Sequence, residues 1–353
     1  MPRTLPGSVR VGVIFGGRSG EHKISCVSAR TVVDGLSSRG HSVELVGVST
    51  SGGWHRIDLA SFRTTRWTTV NELVERRTQV SCGLAELLVC LQPPTVDVAF
   101  PVLHGTGGED GTIQGVLTLA GVPFVGSGLL ASAVCMDKDV AKRLLRGADL
   151  PVCDHEIIYQ HADVDRLRRC GVVLPLFVKP ARGGSSLGVS KVTEWSQLTT
   201  AVKKAQLFDP KVLVEQAITG RELSCGVLQD TSGTTICSPA AETIPGDVGW
   251  LDYDTKYRDP ACRIDTSPVL EADVKRRIRD LALAVFDTLE CAELLRVDCF
   301  LDQRDALYVN EVNTLPGMAY SSIFPEVWRS DGIDYADLVE RLVVNARSSD
   351  DKR

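Results

Sequence analysis

The sequence predicts an α/β fold, and the order of its apolar segments and glycine turns is the basis of this prediction. A continuous apolar run at 9–15 meets a glycine-rich turn at 16–20, and a helical pattern follows at 22–36. Further apolar runs alternate with helix-like stretches at 42–48, 70–76, 96–103, 113–119 and 122–125. This alternation is typical of a parallel sheet covered by helices, so we predict an N-terminal α/β domain at 1–126.

Two strands joined by a glycine and serine loop mark the middle of the chain. The strands are predicted at 174–178 and 188–192, and the loop 180–186 between them has the composition of a flap. The other predicted elements here are a helix, two short strands, a helix and a strand, at 132–146, near 152 and 157, at 193–204 and at 212–215. We assign this part, 127–214, to a central domain.

An irregular stretch at 244–268, rich in Gly, Asp, Pro and Tyr, distinguishes the last part of the chain. A loop of this length in a compact domain is usually functional, so we predict a mobile loop. The elements predicted around it are strands at 222–228, 294–301 and 306–312 and helices at 274–289 and 335–346. Together they predict a C-terminal domain at 215–353.

Composition and charge argue against several classes of protein. Of 353 residues, 43% are hydrophobic and 24% charged, which is close to globular averages and excludes wholesale disorder. The net charge of −6 provides no positive field for nucleic acid or an anionic membrane surface. The longest charge-free run, 111–136, holds five glycines and Pro123, so we predict no transmembrane helix. With no signal-peptide pattern at 1–15 and eleven dispersed cysteines without a CxxC pair, we predict reduced thiols and a cytoplasmic location.

A predicted hairpin near the end of the chain carries the strongest candidate site. If the hairpin turns at 303–304, Arg296 lies opposite Glu311 and Asp298 lies opposite Val309. Because side chains alternate between the two faces, one face then carries Arg296, Asp298, Glu311 and Asn313. The oxygen donors of the last three suit Mg²⁺, which also binds nucleotide phosphates.

The alternative interpretation of this face is a solvated strand surface with ordinary ion pairs. Phe300 and Leu307 fall on the same predicted face and indicate partial burial, which favours the metal site.

Lys179 and the small residues that follow it form a second candidate site. Small residues let a backbone approach a ligand, and successive N–H groups in such loops bind anions. Phosphate is therefore the expected ligand of the loop that ends at Gly188. Most glycine loops are merely turns, which remains the alternative. No Gly-Lys pair occurs in the chain, so a P-loop is excluded. Instead, the loop between the two strands is predicted to cover the phosphates, as the glycine-rich loop of protein kinases does.

Several single residues are candidates only in combination with these sites. Glu21 could simply begin a helix, His104 could be a bonded loop histidine, and Lys138, Lys256 and Tyr257 could be ordinary surface residues. The chain has no HExxH motif, no Cys and His cluster and no GxSxG elbow, which argues against zinc hydrolysis and against that type of serine hydrolase.

Seven motifs, taken in chain order, resemble those of the D-alanine–D-alanine ligases of the ATP-grasp superfamily: residues 15–22, 104–111, 125–128, 136–138, 178–186, 252–257 and 310–317. The resemblance extends over about residues 9–346. It implies an α/β ATP-grasp fold with an N-terminal Rossmann-like pre-ATP-grasp domain, and the use of ATP with two Mg²⁺ ions, which Mn²⁺ could replace.

The resemblance also implies roles for individual residues. The residues implied for ATP binding are Lys138, Lys179, Ser185, Ser186, Glu215, Glu222 and Lys256, and those implied for the metal are Asp298, Glu311 and Asn313. Among the first set the lysines would contact phosphates, the two glutamates would contact adenine or ribose, and the serines belong to the closing loop.

For the amino-acid substrates, the family pattern implies that Glu21 binds the ammonium of the first and that His104 orients it. Ser322, with Ile323 beside it and Lys256 opposite, would hold the carboxylate of the second. The implied catalytic residues are Glu21, His104, Ser185, Lys256, Tyr257, Arg296 and Gly317. Of these, Arg296 and the Gly317 N–H would stabilise the oxyanion, and Tyr257 favours an amide product.

We therefore predict a ligase that joins two D-alanines at the expense of ATP for peptidoglycan synthesis, and the family suggests a homodimer without nucleic-acid or membrane partners. One alternative is a related ligase with a different acceptor, because Ala319 and Tyr320 depart from the family pattern. Another is a nucleotide-binding regulator without ligase activity.

Overall fold

The computed structural model describes residues 8–64, 66–75, 81–82, 91, 95–161, 163–245 and 263–349. Within these ranges three sheets follow one another along the chain, at 10–101, 155–216 and 220–313, with helices before, between and after them. The predicted α/β fold is confirmed. The exact domain limits at 126 and 214 stay predictions. No helix in the described ranges has both the length and the apolar composition needed to cross a bilayer.

The first sheet has the strand order β4-β3-β2-β1-β5. Its strands are β1 (Arg10–Gly16), β2 (Ser42–Val48), β3 (Trp54–Ile57), β4 (Ser81–Cys82) and β5 (Val98–Pro101). β1 runs parallel to β2 and β5 as predicted, whereas β3 and β4 are antiparallel additions that the sequence analysis did not predict. The predicted strand at 122–125 is wrong, because Pro123 has no N–H for a ladder and the segment forms only a bridge between Ala99 and Phe124.

Among the described residues, the helices of this first part are α1 (His22–Ser38), α2 (Leu59–Thr64), α3 (Val70–Glu75) and α4 (Thr112–Leu119). α1 buries Cys26, Ala29, Val33 and Leu36, whose spacing places them on one helical face. This face joins the same apolar core as Val11 and Val13 of β1. α1 therefore covers the sheet and fixes the turn at 17–21 that precedes it.

The second sheet has the order β6-β9-β7-β8, and all its strand pairs are antiparallel. Its strands are β6 (His155–Ile158), β7 (Leu176–Pro180), β8 (Ser190–Val192) and β9 (Val212–Gln216). The helices around it are α5 (Leu129–Met136), α6 (Lys138–Gly147), α7 (Val164–Arg169) and α8 (Leu198–Gln206).

The single helix predicted at 132–146 is in fact two helices, α5 and α6. Asp137 interrupts the helix with a ψ of 100°, and its side chain accepts hydrogen bonds at 3.2 Å from the N–H groups of Asp139 and Val140. A helix cap thus sits where the sequence analysis predicted a helix interior, and it makes Lys138 the first residue of α6.

The third sheet has the order β13-β12-β10-β14-β15, with β11 paired to β10. Its strands are β10 (Gly220–Gln229), β11 (Thr235–Cys237), β12 (Ala241–Ile244), β13 (Arg263–Asp265), β14 (Leu294–Asp302) and β15 (Leu307–Asn313). The described helices beside it are α9 (Ala272–Thr288), α10 (Ile323–Ser330) and α11 (Tyr335–Ser349).

The predicted irregular stretch 244–268 is partly regular. β12 ends at Ile244, and Arg263–Asp265 forms β13, which pairs with β12. This pair was not predicted because strands of three and four residues show too little alternation to detect. Residues 246–262 lie outside the described residues.

The last helix, α11, packs against α1 at the other end of the chain. Gly35 of α1 allows the close approach, since a Cβ atom there would lie 2.8 Å from Val339 Cγ2 and 3.0 Å from Tyr335 Cε1. Leu338, Leu342 and their neighbours share one apolar core with β1 and α1.

Candidate active site

A cavity between the second and third sheets gathers most of the predicted nucleotide residues. Its lining includes Lys138, Lys179, Ser186, Glu215, Glu222 and Glu311. Phe177 and Phe300 add aromatic surface to the walls, and Gly183 and Gly184 belong to the loop over it. The cavity thus offers cationic groups and apolar surface together, which suits a ligand with both phosphates and a planar base.

The hairpin β14–β15 brings the predicted metal residues to one face, but with a register that differs from the prediction. Asp298 lies opposite Glu311, and Arg296 lies opposite Asn313. The predicted partners of Arg296 and Asp298 were therefore wrong.

Two local features cause this shift of register. The loop has three residues, 303–305, with Asp305 in the left-handed region at φ 61°, where the prediction assumed two. Asn310 is then an extra residue in β15, because the partner of Asp298 is Glu311 and that of Cys299 is Val309. As a result of this bulge, Asn310 and Glu311 line the same cavity although they are consecutive.

The carboxylates on this face are each paired with a cation of the protein. Asp298, 4% exposed, accepts from Arg296 Nε at 2.8 Å and Nη2 at 2.6 Å and from Asn313 Nδ2 at 3.2 Å. Glu311 Oε2 lies 3.1 Å from Lys138 Nζ. Among the described residues no group of three His, Cys, Asp or Glu could hold a metal ion, so a metal here would depend on two carboxylates and the Asn313 amide oxygen. Such hard oxygen donors beside a phosphate cavity fit Mg²⁺.

Lys179 lies at the centre of a buried charge network. Its Nζ contacts Glu215 Oε2 at 2.5 Å and Asn310 Oδ1 at 3.1 Å, and Lys142 Nζ contacts the other oxygen of Glu215. Burial acts to raise the pKa of Glu215, but the charges of Lys142 and Lys179 outweigh it and lower that pKa to about 2. Burial likewise acts to lower the pKa of Lys179, yet Glu215 and Glu311 raise it. Glu215 and Lys179 are therefore both charged at neutral pH.

Lys142 and Asn310 were not predicted from the sequence. Lys142 follows Lys138 by four residues and so lies on the same side of α6, which is the one signal that could have indicated it. The role of Asn310 depends on the bulge.

The loop between β7 and β8 connects the nucleotide cavity to the first sheet. Lys138 Nζ donates to Gly183 O at 2.6 Å, and Ser185 Oγ donates to Glu21. Ser185 and Ser186 both have positive φ angles, 50° and 56°, a conformation that non-glycine residues rarely adopt. Ser186 lines the cavity while Ser185 reaches Glu21, so the loop touches both predicted subsites.

Glu21 and His104 lie close to each other at the end of the first sheet. His104 is buried, its Nδ1 lies 3.2 Å from Leu315 O, and its Nε2 lies 3.4 Å from Ser28 Oγ. Because a carbonyl oxygen only accepts, Nδ1 carries the proton, and burial lowers the pKa of the imidazole so that it is neutral. Gly105 borders Glu21, since a Cβ at Gly105 would lie 2.9 Å from Glu21 Oε2.

Glu109, which follows His104 and Gly105 in the segment 104–111, is a further candidate site residue that was not predicted from the sequence. It accepts from the Gly105 N–H at 2.6 Å, while Ser19 Oγ donates to His104 O at 2.6 Å. The peptide group between His104 and Gly105 is therefore held at both ends. Burial, with a smaller contribution from Glu21, raises the pKa of Glu109 to about 8.

Two family models match this chain and identify the protein family to which it belongs. A family model described as D-ala D-ala ligase N-terminus matches residues 10–127, and one described as D-ala D-ala ligase C-terminus matches residues 144–344. The chain belongs to the D-alanine–D-alanine ligase family. It is thus an ATP-grasp ligase, as the resemblance implied, and a regulator without ligase activity is not supported.

Relatives of this ligase can be aligned with it over almost the whole chain. A D-alanine–D-alanine ligase of Mycobacterium bovis is 43% identical, covering 96% of this chain and 95% of the relative, and one of Mycolicibacterium smegmatis is 42% identical, covering 98% and 97%. Among solved structures, a D-alanine–D-alanine ligase from Coxiella burnetii has a TM-score of 0.86 at 29% identity, covering 98% and 95% of the two chains. The VanG D-Ala:D-Ser ligase from Enterococcus faecalis has a TM-score of 0.83 at 30% identity, covering 96% and 100%.

The predicted residues for the second substrate of the ligase lie at the start of α10. Ser322 is the N-cap residue and Ile323 begins the helix. Gly317 lies against Ser322, because a Cβ at Gly317 would be 2.8 Å from Ser322 Oγ. Tyr320 is exposed and its ring packs against that of Tyr335 at a tilt of 55°, with 4.8 Å between the ring centres. Lys256 and Tyr257 lie outside the described residues.

Proposed function

We propose that this ligase joins two D-alanines into D-alanyl-D-alanine, with ATP converted to ADP and phosphate, for peptidoglycan precursor synthesis. The observation that supports this most is the pairing of Asp298 with Glu311 across the hairpin, beside a cavity lined by Lys138 and Lys179. Phosphoryl transfer depends on positioning and charge neutralisation, and these residues supply both.

The proposed first step forms an acyl phosphate. The carboxylate of the first D-alanine attacks the γ-phosphate of ATP, and Lys138 and Lys179 hold the phosphate oxygens. Mg²⁺, bound by Asp298, Glu311 and Asn313, would neutralise charge on the phosphates. Ser185 and Ser186, with Lys256 of the loop predicted at 244–268, would cover the site so that water does not hydrolyse the acyl phosphate.

The proposed second step is attack by the amine of the second D-alanine on the acyl carbon, after which phosphate leaves. Glu21 binds the ammonium of the first substrate, and neutral His104 orients that substrate. Arg296 and the Gly317 N–H donate to the oxyanion, a role in which one donor is worth about 10² to 10³ in rate. Ser322 and Lys256 hold the carboxylate of the second substrate, with Ile323 beside it, and Tyr257 links the loop to Ser185 and Glu21.

The acceptor is assigned from sequence relatives and not from the fold, because a D-Ala:D-Ser ligase has nearly the same fold. The curated relatives at 42–43% identity, all named D-alanine–D-alanine ligases, favour D-alanine. The test measures phosphate release from Mg-ATP by the purified protein with D-alanine alone, and with D-alanine plus D-serine or D-lactate, and identifies products by mass spectrometry. We expect dialanine from D-alanine alone. Turnover only with another acceptor would overturn the dialanine assignment.

The family resemblance also supports two further proposals, a homodimer formed through the first domain and a cytoplasmic location. Light scattering of the purified protein tests the first, because a mass of one chain at micromolar concentration would contradict it. Fractionation of cells that produce the protein tests the second.

A further inference from the structure

Lys142 is a buried lysine that stands behind the nucleotide cavity. Its side chain is 2% exposed, and its Nζ contacts Oε1 of Glu215, while Oε2 of the same carboxylate contacts Lys179 Nζ at 2.5 Å. Lys179 and Glu215 line the cavity, and Lys142 is not part of the lining. A single carboxylate thus bridges one lysine inside the cavity and one behind it.

The charges of this trio determine what the cavity offers to phosphate. Glu215 and Lys179 alone would form an ion pair with no net charge. Lys142 shares the carboxylate and brings the net charge of the trio to about +1. Because Lys142 shares the Glu215 carboxylate, Lys179 can also keep its second contact, with Asn310 Oδ1 at 3.1 Å. Asn310 itself lines the cavity.

We propose that Lys142 is a positioning residue for nucleotide binding: by holding Glu215 from behind, it leaves Lys179 with the charge and the orientation to bind phosphate. This inference depends on the proposed use of ATP and deepens it. Lys142 does not touch the nucleotide and acts through Glu215.

A purely structural role for Lys142 predicts a different result. The ion pair with Glu215 joins α6 to β9, so its loss would lower the stability of the fold and affect both substrates alike. The two roles are separated by comparing phosphate-dependent binding with binding of the amino acid.

The experiment uses the full chain with Lys142→Gln, which removes the charge and retains a donor, and Lys142→Arg, which retains the charge. We expect Lys142→Gln to weaken binding of a non-hydrolysable Mg-ATP analogue, measured by calorimetry, about tenfold. The KM for ATP should rise by a similar factor while the KM for D-alanine changes less than about twofold. Lys142→Arg should recover most of the affinity. Equal changes in the two KM values, or unchanged affinity for the analogue, would overturn the proposal.

A double-mutant comparison tests whether Lys142 acts through Glu215. In a Glu215→Gln background, adding Lys142→Gln should change the affinity for the analogue by less than about twofold, because the bridging carboxylate is already gone. If the two effects multiply instead, the proposal is wrong. Lys142→Gln by itself leaves Glu215 paired with Lys179, so the Glu215 carboxylate keeps a cation and this variant is expected to fold. Binding of the analogue needs no turnover, so inactivity of the wild type with D-alanine would contradict the proposed function without deciding the role of Lys142.

Discussion

Lys138 Nζ lies 3.1 Å from Glu311 Oε2, so the first residue of α6 and a residue beside the bulge of β15 form an ion pair at the edge of the cavity. Lys138 is proposed to bind the anionic phosphate and Glu311 the cationic Mg²⁺. In the ion pair Glu311 takes the place of the phosphate beside Lys138, and Lys138 takes the place of Mg²⁺ beside Glu311. The pair therefore keeps both side chains in place.

Glu311→Gln should abolish turnover and leave the fold intact. The change removes a metal-binding charge worth several kcal/mol in the transition state, so kcat should fall by more than about 10²-fold. Because the Glu311 side chain is 25% exposed, the free energy of unfolding should change by less than about 1 kcal/mol. Phosphate release and thermal unfolding check both expectations. Glu340→Gln is a matched control, since its side chain is also 25% exposed and lies 3.3 Å from a cation, Arg39. Full activity of Glu311→Gln would refute the metal assignment.

Gly184→Ala should impair binding of the first D-alanine. A Cβ at Gly184 would lie 2.6 Å from Glu21 Oε2, so the Glu21 carboxylate must move away from the position where it would bind the substrate ammonium. We expect the KM for the first D-alanine to rise about 10-fold or more, with little change in the unfolding temperature, because only a side-chain end is displaced. Gly183→Ala is the control, since a Cβ there would lie at an ordinary 3.4 Å from Pro180 Cβ. Equal KM values in the two variants would contradict the role of Glu21.

Glu109→Gln should stabilise the protein at alkaline pH. The pKa of Glu109 is raised from 4.5 to about 8, so the folded state binds this proton more tightly than the unfolded state. The resulting stabilisation is complete below pH 4.5 and is lost as the pH rises through about 8. Gln cannot lose a proton and still accepts from the Gly105 N–H. The free energy of unfolding of the variant should exceed that of the wild type by several kcal/mol at about pH 9, and the difference should shrink toward about pH 5. Unfolding curves across this range measure it, and a difference that does not vary with pH would show that burial does not perturb Glu109.

Tyr257→Phe should lower activity only mildly. The proposed role of Tyr257 is one hydrogen bond between the loop predicted at 244–268 and the loop between β7 and β8, worth about 1 kcal/mol, so kcat/KM should fall about fivefold. Steady-state kinetics check this, with mass spectrometry to confirm that the product is still a dipeptide. A complete loss of turnover would mean that Tyr257 has a chemical role beyond loop closure.

The hairpin shows how far the sequence could predict the site. The period of two correctly placed Asp298 and Glu311 on one face, because alternation depends only on neighbouring residues. Their pairing depended on Asp305 adopting a left-handed conformation and on the bulge at Asn310, and no local pattern signals either feature. The face of the hairpin on which a side chain lies is therefore predictable from the sequence, whereas the residue opposite it on the neighbouring strand is not.

Contacts between distant segments were the other part that the sequence could not supply. His104 Nδ1 meets Leu315 O across 211 positions, and Lys142 meets Glu215 across 73. These contacts depend on how the sheets pack, which a single sequence does not encode in any local period. The motif at 104–111 indicated His104 and the family resemblance implied Glu215, but neither indicated the groups that hold these two side chains.

The packing of α11 on α1 has a consequence for the order in which the chain can fold during synthesis. The apolar core around β1 includes Leu338, Val339 and Leu342. At roughly 5 to 20 residues per second, a ribosome needs on the order of 15 to 60 s to make the ~300 residues that separate α1 from α11. During that time the outer face of α1 lacks its partner, and we expect the nascent N-terminal part to be open to proteases and chaperones. Limited proteolysis of ribosome-bound chains stopped before and after residue 349 would reveal the moment of closure.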